Sequence, residues 1–189
     1  MIDQIVLVPG FFEPRLLMQP LRYSLRKTSL RTQIWRDRWA FRSLDRSIDR
    51  LRLEISAANR SERGTIAIVT HSFGDWVARQ AIAEAKNHRV THLVSIAPIM
   101  NASPVAKGLR AIGCGLIPEV PVMASATRAS ENSDVGPGIR RLILWANLDV
   151  WIRPPKVVEH AQTRSLWATH LSIILQPNVH RAVRDFLDR

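Results

Sequence analysis

Between Thr65 and Ala85 the chain changes its hydrophobic period abruptly. Thr65-Ile66-Ala67-Ile68-Val69 is a short apolar run introduced by Gly64, the pattern of a strand buried on both faces. Downstream, Val77, Ala78, Ala81, Ile82 and Ala85 recur at helical spacing. Only the turn Thr70-His71-Ser72-Phe73-Gly74-Asp75 lies between them, so a strand must pass into a helix through a sharp corner. A serine at such a corner has its hydroxyl above the sheet edge and the first N–H groups of the helix beneath it. That is what a nucleophilic serine needs: access to a carbonyl, and donors for the oxyanion. The turn approximates G-x-S-x-G, with Thr70 at the first glycine position.

The same alternation runs along the rest of the chain. Strand candidates are Gln4–Val8, Gln33–Arg36, Thr65–Thr70, Thr91–Ala97, Arg141–Ala146 and Thr163–Ala168. Helical patterns fall near Pro20–Lys27, Phe41–Ala57, after Ser72, and near Asn178–Leu187, where Val179, Val183, Phe186 and Leu187 form the inward stripe. This predicts an α/β fold with a six-stranded, mostly parallel sheet covered by helices on both faces. The exception is 99–138, rich in Pro, Gly, Ala and Ser, with one helix expected over Ser103–Ile112 and ended by Gly113-Cys114-Gly115. An excursion of that length is expected to serve as a small lid or to face the substrate. With 189 residues and no internal repeat, one domain over 1–189 is expected.

In open parallel sheets ligands bind beyond the carboxyl ends of the strands. The polar residues there are Ser72 after the third strand, Asn147-Leu148-Asp149 after the fifth and Thr169-His170 after the sixth, with Pro9-Gly10-Phe11-Phe12 after the first. One serine, one carboxylate and one histidine emerge in the order Ser…Asp…His, which is one of the known arrangements of a nucleophilic triad. The competing residues are weaker. Asp134 lies in a Ser/Asn/Gly loop before a strand, at the wrong sheet end. His180 shares a helix face with Arg181 and Arg184 and reads as a solvated surface histidine. His71, next to Ser72 on a sharp turn, is expected to point away from it and to pack or hydrogen-bond elsewhere. His88 and His92 straddle a helix end and a strand start with no third ligand, and no metal site is expected. Ser72 as a plain helix cap and Asp149 as a plain turn residue are the structural alternatives.

Taken together these segments resemble the α/β-hydrolase superfamily, in particular its small, lid-poor bacterial lipases and esterases. Val6-Leu7-Val8-Pro9-Gly10-Phe11 matches the oxyanion loop, Thr70–Gly74 the nucleophile elbow, and Ala146-Asn147-Leu148-Asp149 with Pro154 the acid turn. Thr169-His170-Leu171-Ser172-Ile173-Ile174, followed by Pro177, matches the histidine segment. Pro9 stands where many relatives have histidine. The resemblance implies a serine hydrolase of carboxylic esters that needs no metal or organic cofactor. Ser72 is then the nucleophile, His170 the general base and acid, and Asp149 its orienting acid, with the N–H groups of Phe11 and Phe73 as the oxyanion hole. Phe12 and Trp151 are candidate walls of the acyl pocket.

Two other classes compete with this reading. One is a catalytically silent hydrolase fold used for binding. The other is a basic protein that attracts nucleic acid or an anionic membrane. The formal net charge is +11, much of it between Arg22 and Arg52, where Arg22, Arg26, Lys27, Arg31, Arg36, Arg38, Arg42, Arg46, Arg50 and Arg52 outnumber the acids. No recognition-helix motif or interleaved aromatic platform accompanies them, so nucleic acid is not the expected partner. Leu44, Ile48, Leu51 and Ile55 give the same segment an apolar stripe, the mark of a surface helix. The single cysteine, Cys114, suits a reducing compartment, and strand-like sequence from Ile2 leaves no room for a signal peptide, so a cytoplasmic location is expected.

Overall fold

The computed structural model describes residues 2–38, 40–56, 64–154 and 158–188, with Leu30 described by its main chain. Six strands, β1 (Ile2–Val8), β2 (Ser29–Ile34), β3 (Ile66–His71), β4 (Val90–Ile96), β5 (Arg140–Ala146) and β6 (Ala161–Leu166), form one sheet in the order β2-β1-β3-β4-β5-β6. Every neighbouring pair is parallel. The helices are α1 (Gln19–Ser24), α2 (Leu44–Ile55), α3 (Phe73–Glu84), α4 (Pro104–Ala111), α5 (Glu119–Ala124), α6 (Ala126–Ser130) and α7 (Pro177–Leu187).

The sheet is a partition between two cores, because successive side chains of a strand point to opposite faces. Val6, Val8, Ile66 and Ile68 face one way, into a core with Ile48 and Leu51 of α2 and Val77 and Ala81 of α3. Ile5, Leu7, Ala67 and Val69 face the other, against Leu21 of α1 and Val179, Val183 and Phe186 of α7. All six residues of β3 are therefore buried, which is why it reads as a continuous apolar run rather than an alternating one. The central position of β3 sets its turn, and Ser72 with it, at the middle of the sheet's carboxyl edge.

The expected elements are present, with shifts at the edges. β2 begins at Ser29 and ends at Ile34, earlier than Gln33–Arg36, and β6 spans Ala161–Leu166 rather than Thr163–Ala168. Both are edge strands, and four of the six β6 residues are exposed, so neither carries a buried alternation to mark its register. The stripe of α2 is as read, with Ile48, Leu51 and Ile55 buried, while Ala57 and Trp39 lie outside the described residues. Within 99–138 the expected helix is α4, capped by Ser103 Oγ accepting from Ala106 N at 3.2 Å and followed by Gly113 at φ +91°. Two further helices, α5 and α6, follow it, and Val120, Val122, Met123, Ala124 and Ala129 pack into the α2/α3 core. Among the described residues no helix is long and apolar enough to cross a membrane.

Candidate active site

The turn after β3 is as sharp as its sequence requires. His71 ends the strand, Phe73 starts α3, and Ser72 between them has φ 52° and ψ −124°, a left-handed conformation that costs a residue with a Cβ about 1–3 kcal/mol. The main chain holds it there: Ser72 N donates to Ile96 O at 2.9 Å, and Ser72 O accepts from Asp75 N at 3.1 Å. Its hydroxyl makes no capping bond to α3, so the helix-cap alternative is not what the side chain does. Gly74 is required by close approach, since a Cβ there would lie 2.5 Å from Val8 O and 2.6 Å from Pro9 O. Gly10 is equally constrained, with a Cβ that would sit 2.9 Å from Ser72 Cβ. The loop after β1 thus rests directly on the serine turn.

Asp149 and His170 arrive from the ends of β5 and β6. Asp149 Oδ1 accepts from Trp151 N at 2.8 Å and Ile152 N at 3.0 Å, which fixes the carboxylate and turns Oδ2 toward His170 Nδ1, 2.7 Å away. His170 Nε2 lies 2.8 Å from Ser72 Oγ. Facing a carboxylate, Nδ1 carries the proton, and Nε2 is left to accept from the serine hydroxyl. Burial pulls His170 below the usual histidine value, against the opposing pull of its bond to Asp149, and the nearby His71 lowers it further. The Trp151 ring lies nearly parallel to the His170 ring, with centroids 6.1 Å apart and planes at 19°.

Ser72 and His170 open on a cavity of about 350 Å³ whose walls are mainly Phe11, Phe12, Ile99, Leu109, Ile117, Met123 and Trp151. Phe11 and Phe12 from the loop after β1 face residues of α4 and α5 across it, so the 99–138 excursion supplies much of the wall. Phe73 is fully buried against Trp76, and as the first residue of α3 its amide has no acceptor within the helix.

Several residues that sequence reasoning missed or misplaced surround this group. Thr70, which departs from the glycine of the elbow pattern, is fully buried and donates from Oγ1 to Val94 O at 3.1 Å and Asp75 Oδ1 at 3.2 Å. Asp75 in turn accepts from Arg79 Nε at 2.8 Å and Ser95 Oγ at 2.6 Å, with Arg141 Nη2 at 3.4 Å. Burial alone pushes this carboxyl up, but Arg141 and Arg79 outweigh it and hold it below the usual carboxylate range. The Asp75–Arg79 spacing of four on a helix was the one legible sign of this cluster.

Three other expectations need correcting. Arg42, counted with the basic surface, is buried and donates from Nη2 to Gly10 O at 2.5 Å and Pro9 O at 3.3 Å. His180 is buried rather than solvated, donating from Nε2 to Ile174 O at 2.7 Å. His71 does turn to hydrogen-bonding partners, Glu13 and His170 O, yet it also borders the cavity beside Ser72. Asp134 is where it was read to be, exposed before β5, with His160 Nδ1 3.9 Å away. Its donor atom and those of Glu159 and His160 lie within 4.8 Å of one another, all exposed, at the opposite end of the sheet from Ser72. A larger cleft of about 650 Å³ lies along β2, lined by Arg15, Arg22, Arg31, Arg36 and Arg50, and none of Ser72, Asp149 and His170 reaches it.

No family model matches the sequence, and no curated protein does. The fold, by contrast, has many solved neighbours. An esterase of Pyrococcus furiosus superposes with a TM-score of 0.66 at 16% identity, over 99% of this chain and 80% of that one. A carboxylesterase of Bacillus subtilis gives 0.65 at 14%, over 98% and 84%. An enol-lactonase of Burkholderia xenovorans gives 0.64 at 13%, over 100% and 92%. At these identities the likeness is one of architecture: the chain has the α/β-hydrolase fold.

Proposed function

We propose that this protein is a serine hydrolase of carboxylic esters acting through Ser72, His170 and Asp149, as one domain over 1–189. The observation that carries the reading is the unbroken series Asp149 Oδ2 to His170 Nδ1 at 2.7 Å and His170 Nε2 to Ser72 Oγ at 2.8 Å, at the mouth of an apolar cavity. His170 takes the Ser72 proton as Oγ attacks the acyl carbon, and Asp149 holds the ring in the tautomer that makes Nε2 the base. The oxyanion is met by the N–H groups of Phe11 and Phe73, one from the loop resting on the elbow and one from the first turn of α3. His170 then passes the proton to the leaving alcohol. Water, activated by the same ring, cleaves the acyl-enzyme, and no step calls for a metal or organic cofactor. The aromatic and aliphatic walls favour an acyl group without charge, and a cytoplasmic setting remains the expectation that a single cysteine supports.

The test is turnover of short and medium p-nitrophenyl esters with fluorophosphonate labelling. Wild-type protein hydrolyses the esters and is labelled on Ser72, and Ser72→Ala lowers kcat by about 10⁴-fold or more. Folded wild-type protein that neither turns over nor labels overturns the reading in favour of a silent fold used for binding.

A second reading adds a peripheral contact with anionic membrane. Among the described residues, all the exposed large apolar side chains except Tyr23 and Leu53 lie on segments leaving the carboxyl ends of strands, among them Phe12, Leu116, Trp167 and Leu171. Arg22, Arg31, Arg36 and Arg50 line the cleft along β2, and a surface that offers apolar side chains and cations suits an anionic lipid surface. Co-sedimentation with phosphatidylglycerol vesicles, weaker at high salt and absent with phosphatidylcholine, is the expected outcome. Equal binding to both, or to neither, removes this contact.

A further inference from the structure

Three loops meet at Ser72, and one buried pair of side chains ties all three together. Glu13 Oε2, from the loop after β1, accepts from Gly10 N at 2.5 Å and from His71 Nδ1 at 2.8 Å. His71, the last residue of β3, reaches with Nε2 to the main-chain oxygen of His170 at 2.9 Å. Both side chains are 1% exposed, so neither bond is shared with solvent. The chemistry of these partners decides the protonation. A carboxylate and a carbonyl oxygen can only accept, so both ring nitrogens of His71 carry hydrogen and the ring is an imidazolium. This cation lies beside the His170 ring, with centroids 5.2 Å apart.

We propose that Glu13 and His71 form a positioning ion pair that clamps the loop after β1 and the His170 loop onto the serine turn while presenting a fixed positive charge to His170. The inference rests on the function proposed above and extends it, since neither residue touches the reacting atoms. Gly10 immediately precedes Phe11, so the bond from Glu13 to Gly10 N fixes the approach of one proposed oxyanion donor. Arg42 holds the other side of that loop through Gly10 O and Pro9 O. The bond from His71 to His170 O fixes the backbone from which the base projects.

The charges around the two rings set the sign of the pH effect. His71 faces Glu13, His170 and Asp149: burial pulls its pKa down, but Glu13 outweighs that and raises it above the usual histidine value. Glu13 is pushed up by burial and held below the usual carboxylate range by His71, with its bond to Gly10 N assisting. His170 faces Asp149, His71 and Glu13, and the cation's effect exceeds that of the Glu13 anion. The pair therefore keeps His170 neutral to lower pH than it would otherwise reach, and losing the pair moves the acid limb of the rate profile upward.

Glu13→Gln is the cleanest variant. Gly10 N and His71 Nδ1 both donate to Glu13 Oε2, so an amide oxygen in that place keeps the bond from Gly10 and the shape of the side chain, while the carboxylate charge that holds His71 as a cation is gone. The expected result is a folded enzyme with the acid limb of kcat/KM displaced to higher pH. His71→Gln loses the ring as well, and we expect kcat to fall by about 10–100-fold with KM little changed, as for other groups that orient a catalytic histidine. A Glu13→Gln protein that folds with the wild-type pH profile overturns the electrostatic role, and a folded His71→Gln protein with wild-type kcat overturns the clamp. A third measurement needs no variant: ¹⁵N chemical shifts of the wild-type His71 ring at pH 7.5 report both nitrogens protonated if the pair exists. A neutral ring overturns the proposal even where both variants fail to fold. Wild-type turnover and Ser72 labelling test the hydrolase reading separately, so failure of one is not mistaken for failure of the other.

Discussion

Asp149 and Asp75 are both buried carboxylates close to the turn that carries Ser72, and they are surrounded in opposite ways. Asp75 sits behind the turn among Arg79, Arg141, Ser95 and Thr70, two of them guanidinium cations. Asp149 sits in front, with two backbone amides on one oxygen and an imidazole on the other. Permanent cations lock a carboxylate in place. A titratable ring couples it instead to a proton that can leave, toward a serine and an open cavity. The first arrangement holds the elbow together, and the second is the one equipped for chemistry.

Replacing each aspartate by asparagine tests that contrast most directly. Asp149→Asn removes the acceptor that sets the His170 tautomer and lowers kcat by about 10⁴-fold with the melting temperature little changed. Asp75→Asn leaves Arg79 and Arg141 buried without their counter-charge and costs about 3–5 kcal/mol of stability, read from urea unfolding at pH 7. The pH dependence follows from the depressed Asp75 value. Stability from that pair is fully present above the unfolded carboxyl value of about 3.9 and is lost as pH falls through the lower folded value, a loss the asparagine variant lacks. Similar stability losses in the two variants would erase the contrast. The smallest effect belongs to Thr70→Val, which keeps the shape but removes the hydroxyl bonds to Val94 O and Asp75, costing about 1 kcal/mol and leaving the rate as it is. A large loss of rate there would make the back of the turn part of the catalytic apparatus.

The parts of the site legible in the sequence are those marked by local pattern. β3 and α3 announce themselves by a change of period, and Ser72 and Asp149 each follow a strand whose apolar run is readable, whereas His170 follows β6, an exposed edge strand without one. What was not legible depends on contacts between distant positions. Glu13 and His71 are 58 residues apart, and Arg141 and Asp75 are 66 apart, and no periodicity connects either pair. Arg42 and His180 were read as surface residues because charged and basic neighbours dominate their segments, and such residues are seldom buried without a partner. Here the partners are main-chain oxygens of Gly10 and Ile174, which no side-chain pattern encodes. Thr70 read as a defect in a motif for a similar reason: the hydroxyl that fills its place bonds to a neighbouring strand.

The backbone at Ser72 carries one more implication. Its φ of 52° is a geometry for which glycine is the natural occupant, so the position most important to the proposed chemistry is one where the native residue opposes folding. Under the proposed function the serine sets stability against its hydroxyl, and stabilising the chain by consensus or design would have to exempt this position from its own logic.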